Sequence, residues 1–274
     1  MSYLLALVAS LSYGLADFSA GVLSKRLTVY AVFGGSAVVA ALAFLTLGVF
    51  TKTMSFDEVD LVAGSVAGIL FLVGNLTYFT ALTRGSMGVV SGILTLLVLV
   101  PFIAAVRQGQ MPSPLNLLGI AVTIGGVIML GIPEMKGSKA MGPILLALIA
   151  ALFIGASQVF LDLGSKENVV GSLFTMEIVG VVTISVMALA ARSRGGFAFR
   201  ETPAIVVIGM LNAIAVSAFS YATTSGNIAI VSVLSSLDPL VVVVMAVFIL
   251  KQNLARVQIF AFIVVLFGSF LVSV

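Results

Sequence analysis

The sequence contains no cysteine, no histidine and no tryptophan. Without cysteine, disulfides, thiolate chemistry and thiolate metal sites are excluded. Without histidine, the commonest general base and the commonest transition-metal ligand are missing. No metal site or other cofactor is therefore expected. Charge is scarce too. Asp, Glu, Lys and Arg make up 8% of the 274 residues, where a soluble domain carries about a quarter. The net charge is only +3, with no basic tract, so a nucleic-acid partner is not expected. No phosphate-binding glycine loop is present, which argues against ATP as a direct driver. No Ser-His pair is possible and no Gly-x-Gly-Asp motif occurs, so the chain is not expected to be an enzyme.

What the sequence does have is apolar length. Hydrophobic residues make up 61% of it. Such a chain cannot cover itself with polar groups, and its solvent must be lipid. A spanning helix needs roughly 20 apolar residues. Ten such segments stand out, at 3–23, 29–50, 61–82, 87–106, 114–132, 141–161, 170–190, 203–222, 228–249 and 255–273. The runs are continuously apolar and do not alternate, which excludes barrel strands. The first run carries Asp17 and lacks a basic leader, so it reads as a spanning helix and not as a signal peptide. The expected fold class is an all-α membrane protein with ten transmembrane helices.

Lys and Arg are unevenly shared among the connections. Ten lie in odd-numbered connections (Lys25, Arg26, Arg84, Lys136, Lys139, Arg192, Arg194, Arg200, Lys251, Arg256) and three in even-numbered ones (Lys52, Arg107, Lys166). The positive-inside rule then puts the odd connections in the cytoplasm and both termini outside. The expected location is the cell inner membrane.

The chain also repeats itself. Residues 4–14, LLALVASLSYG, match residues 145–155, LLALIAALFIG, at seven of eleven positions with an offset of 141. Ser24-Lys25 falls on Ser165-Lys166 at the same offset, and Gly126 and Gln110 meet Gly268 and Gln252 at 142. Leu and Ala runs alone would not hold register so far. The expected organisation is two five-helix units, 1–137 and 138–274. Five is odd, so the second unit enters the membrane from the opposite side. Inverted repeats of this kind recur in transporters, with the site near the midplane between the halves.

Further motifs keep this order. In the second half, Gly226 precedes Ser236-Leu237-Asp238-Pro239, then Leu250-Lys251-Gln252-Asn253-Leu254, then Gly268. The first half holds Ala81-Leu82-Thr83-Arg84-Gly85, Gly119 and Gly126. In this pattern the chain resembles the EamA branch of the drug/metabolite transporter superfamily over essentially its whole length. It departs at Gln110 and Gln252, where the family has Glu, and at Pro101, which falls a few residues late. The resemblance implies a central cavity lined by the first, third, fourth, sixth, eighth and ninth helices.

Ionisable groups inside a spanning helix cost about 2.5–3.5 kcal/mol on insertion scales and mark function more often than structure. Asp17, Glu177 and Asp238 qualify, and no Lys or Arg lies as deep in the runs. Asp238 is the strongest candidate and is expected near the centre of the ninth helix. It precedes Pro239, which lacks an N–H and frees the carbonyl of Ser235. Tyr13 lies one turn from Asp17 on the same face, and Gln158 is its repeat partner. Asn75 and Tyr78, with Asn212 and Tyr221, are candidate lining residues; the plainer alternative is hydrogen bonding between helices. Asp162 and Arg107 are expected at the interface. Pro239 and Pro101 are candidate hinges.

The expectation is a secondary active transporter of a small organic metabolite working by alternating access. Proton or other gradient coupling would run through one of the acids. The substrate would be cationic or zwitterionic, and the protein a monomer or homodimer. A channel or a scaffold without carrier activity is the alternative.

Overall fold

The computed structural model describes residues 1–54, 57–107, 109, 113–131, 141–190, 199–251 and 255–273. Among these every regular element is a helix: α1 (Ser2–Leu23), α2 (Val29–Thr51), α3 (Glu58–Arg84), α4 (Met87–Leu94), α5 (Leu99–Arg107), α6 (Pro114–Gly131), α7 (Met141–Ser165), α8 (Val169–Ala190), α9 (Thr202–Ser225), α10 (Ile228–Ser235), α11 (Asp238–Phe248) and α12 (Arg256–Ser273). Eight helical stretches among the described residues are long and apolar enough to cross a bilayer. Two of these join short helices end to end, α4 with α5 and α10 with α11. The apolar parts of α6 and α12 are shorter.

Two expected single helices are broken. The run at 87–106 is interrupted by a 3-10 turn, Thr95–Val98. The run at 228–249 is interrupted at Ser236 and Leu237. Asp238 therefore opens α11 instead of standing mid-helix. The prolines account for both breaks. Pro101 cannot donate to the carbonyl of Leu97, nor Pro239 to that of Ser235. Hydropathy reports how apolar a run is and says nothing of its continuity.

Other helices run longer than their apolar cores. α3 begins at Glu58, with Glu58 and Asp60 in its first turn, where carboxylates suit the positive end of the helix dipole. α7 continues to Ser165 and takes Asp162 into the helix.

Small residues make up much of the helix contact surface, beside buried Phe44, Phe79 and Leu72. On α1 the buried face carries Ala6, Ala9, Gly14, Ala16 and Ala20, while Leu4, Leu7 and Leu11 are exposed. That is the pattern of helices packing in lipid. Leu gains little by turning inward there, and small residues let backbones approach. The most extensive contacts run between the two halves of the chain and are reciprocal. α3 packs on α7 and α8, and α9 packs on α1 and α2. α6 pairs with α12, and α2 meets α8.

Glycine contacts follow the same reciprocity. Gly14 of α1 abuts Val241 and the carbonyl of Asp238. Gly155 of α7 abuts Val100 and the carbonyl of Leu97. All three correspondences, 14 with 155, 238 with 97 and 241 with 100, differ by 141. At either glycine a Cβ would collide with the neighbouring backbone. Each broken helix is thus held against a glycine of the opposite half. Gly126 and Gly268 lie in the same way against the backbones of α12 and α6. The space beside Gly125 is open where a Cβ would point.

Candidate functional site

The breaks and the reciprocal packing leave a partly enclosed space lined by polar and apolar groups. A cavity with about 580 Å³ of atom-free volume lies between α1, α3, α4, α7, α8, α9 and the two breaks. Its polar lining comprises Tyr13, Asp17, Asn75, Ser157, Gln158, Asn212, Ser235, Ser236 and Asp238. Among the described residues no Lys or Arg lines it. The apolar remainder includes Phe71, Leu97, Met176 and Phe219.

Local structure explains how the acids converge. Tyr13 and Asp17 are one turn apart on α1 and share a face. Gly14, on that helix, brings α1 onto the carbonyl of Asp238. Asp238 stands in the first turn of α11, where the helix dipole favours a carboxylate. Asp17 is 8% exposed and Asp238 is 6% exposed. The two carboxyl groups lie within electrostatic reach of each other. Tyr13 is within reach of both and also of Glu177.

Seven expected residues line the cavity: Asp238, Asp17, Tyr13, Asn75, Gln158, Asn212 and Ser235. Glu177 is buried on α8, one residue beyond the lining Met176. Tyr78 is fully buried beside Asp17 and Ser91, but its hydroxyl makes no bond of good geometry. It stands just outside the lining. Tyr221 lies apart, 44% exposed on α9 and outside the cavity. Pro101 and Pro239 are buried next to the breaks. Gln110 and Gln252 lie outside the described residues.

Hydrogen bonding leaves part of the site unspent. Asn75 gives its Nδ2 to the carbonyl of Phe71 at 2.9 Å, and Ser236 gives its hydroxyl to that of Val233 at 2.8 Å. Ser157 donates across to α3, to the carbonyl of Ala67, at 2.9 Å. By contrast, Gln158 Oε1 and Ser235 Oγ are buried without a partner. Buried polar atoms are normally paired, so these two atoms are where a bound molecule would find protein partners.

Sequence reasoning left Ser157, Phe71, Met176 and Phe219 off the candidate set. Helical spacing could have found two of them. Phe71 is four residues from Asn75, and Phe219 is seven from Asn212, each on a shared face. Met176 carries no such signal, because α8 was not expected to line the cavity.

Two further acids are buried away from the cavity. Asp162, near the end of α7, is 2% exposed and pairs with the half-exposed Lys166 at 2.8 Å. Asp60 is buried in the first turn of α3 and accepts from Ser172 Oγ at 3.4 Å. Nearby, Asn168 Nδ2 bonds the carbonyl of Thr53 at 2.8 Å. These contacts tie the α2–α3 and α7–α8 connections together at one end of the molecule.

Among solved structures, one titled "Crystal structure of protein" shares the fold. It has a TM-score of 0.75 and 16% identity, and the match covers 98% of this chain and 95% of that one. No curated protein matches the sequence. A family model does, twice, over residues 1–132 and 141–274, and its description is the EamA-like transporter family. Those two matches take in nearly all of the chain, which therefore belongs to the EamA-like transporter family.

Proposed function

We propose that the protein is a secondary active transporter that moves a small organic cation or zwitterion by alternating access, with coupling to the proton or another ion gradient. The observation that carries this reading is the charge inventory of the cavity. Asp17 and Asp238 face one shared space, Glu177 stands behind it, and among the described residues no Lys or Arg lines it. Two ionised carboxylates in a water-poor space repel strongly. A bound cation relieves that repulsion, and so does a proton. Competition between the two for the same acids is the simplest basis for exchange. A carboxyl group in a low-dielectric interior can take up and release a proton near neutral pH.

The reading includes ten spans, with α4–α5 and α10–α11 each crossing once and α6 and α12 completing the set. It includes two inverted five-helix units, 1–137 and 138–274, whose reciprocal contacts support an exchange of roles between halves. The Lys and Arg bias supports termini outside the cell inner membrane. The broken helices are the proposed moving parts, with Pro101 and Pro239 beside the bends.

The test uses purified protein in vesicles. Uptake of candidate amines and amino acids should saturate, respond to competitors and follow an imposed pH gradient. Asp238→Asn and Asp17→Asn should each abolish the response to the gradient. Linear, competitor-insensitive flux would identify a channel instead. Gradient-driven flux that is unaltered in both variants would remove the two acids from the mechanism.

A further inference from the structure

The molecule has a second built feature, on its outer surface and away from the cavity. α2 and α8 meet along a seam. Two concavities run along it and share Val38 and Val181. Both are open to the outside, with about 370 and 630 Å³ of atom-free space that includes their mouths. The first is lined only by apolar residues, including Leu42, Leu45, Phe174 and Ile178. The second continues past Gly34 and Gly35 to Tyr30 and Ala188. The glycines leave the floor of the groove open. A Cβ at Gly34 would make only ordinary contact with Ile184.

The dimensions and the charge suit one class of occupant. Tyr30 and Leu45 stand about 22 Å apart along the helix at a rise of 1.5 Å per residue. One leaflet of hydrocarbon is about 15 Å deep, half of a roughly 30 Å core. The groove is therefore long enough for one acyl chain and the start of its headgroup. Its polar end has a cationic neighbour. Lys25 and Arg26 are exposed in the turn that leads into α2, and neither forms an ion pair among the described residues. The Lys and Arg bias turns this end to the cytoplasm, where the membrane surface potential is negative and basic pockets between helices take anionic headgroups. A second copy fits less well. A twofold dimer built on the seam would bring Lys25 and Arg26 of both chains to the same end.

We propose that the α2–α8 groove is a binding site for an anionic phospholipid, with an acyl chain along Val38 and Val181 and the phosphate at Lys25 and Arg26.

The test is native mass spectrometry of the full chain with equimolar phosphatidylglycerol and phosphatidylcholine of matched chains. The protein should retain phosphatidylglycerol with a roughly tenfold preference. Replacing both Lys25→Gln and Arg26→Gln should bring the preference to parity while lipid is still retained. Val38→Phe should reduce retention of both lipids severalfold, and Leu42→Phe serves if Val38→Phe does not fold. Equal retention of the two lipids by the unaltered protein would overturn the proposal. So would undiminished retention in a folded groove-filling variant, or a two-chain species that the same variant dissolves. No transport is measured, so the result is independent of the function proposed above.

Discussion

The two halves build the same bend and arm it differently. Thr95–Val98 interrupts one spanning run, and Ser236–Leu237 interrupts its counterpart. Gly155 receives the carbonyl of Leu97, and Gly14 receives that of Asp238. Yet the side chain at the matched position is apolar in one half and acidic in the other. The asymmetry extends outward: Asp17 corresponds to Gln158, and Glu177 to Ser36. The shared features are backbone features, namely a proline, a break and a glycine contact. The unshared features are charges. A duplicated scaffold can thus supply two equivalent bends while only one set of positions carries acids.

The largest effect should come from exchanging the two armed positions. Asp238→Leu should lower gradient-driven flux by about thirtyfold or more, the scale of losing about 2 kcal/mol at a buried charge contact. Adding Leu97→Asp should not restore it, because Asp17 lies on α1 and its counterpart beside Leu97 is the neutral Gln158. Recovery in the double variant would mean that the halves are interchangeable for chemistry as well as for packing.

Gly14→Ala and Gly155→Ala probe the shared part. Each adds a methyl against a backbone carbonyl, and overpacking of that kind costs about 1–3 kcal/mol. The two melting temperatures in detergent should fall by similar amounts. Only Gly14→Ala should also depress transport strongly, because it pushes on Asp238. A large gap between the two melting temperatures would break the equivalence of the bends.

The smallest effect should come from Ser157→Ala. Its hydroxyl crosses from α7 to the carbonyl of Ala67, whereas its counterpart on α1 is Ala16. Hydrogen bonds between membrane helices average about 0.6 kcal/mol. Thermal denaturation should register a loss of that size. No measurable change would make this difference between the halves energetically silent.

Much of the site could be read before the fold. Asp17, Asp238, Tyr13 and Gln158 stand out because polar groups are costly in an apolar run and because the repeat pairs two of them. Tyr221 and Phe219 show the limit. Both lie on α9 in equally apolar surroundings, yet Phe219 lines the cavity and Tyr221 faces outward. In lipid, a helix can present Leu, Phe or Tyr on either side at similar cost, so hydrophobic periodicity does not select the buried face. Asp162 shows the same limit at a helix end: it is buried and paired with Lys166 one turn away, which hydropathy does not report.

The sequence by itself determined the lipid environment, the number of apolar runs, the duplication at an offset of 141 to 142 and the absence of thiol and imidazole chemistry. These follow from composition and spacing, which no packing arrangement can alter. The tertiary structure decided where the long runs break, which glycines bear contacts and which acids share a space. Those outcomes depend on backbones meeting across the two halves. Asp238 and Asp17 share a cavity where Gly14 lets α1 touch the bend of a helix more than two hundred residues later in the chain.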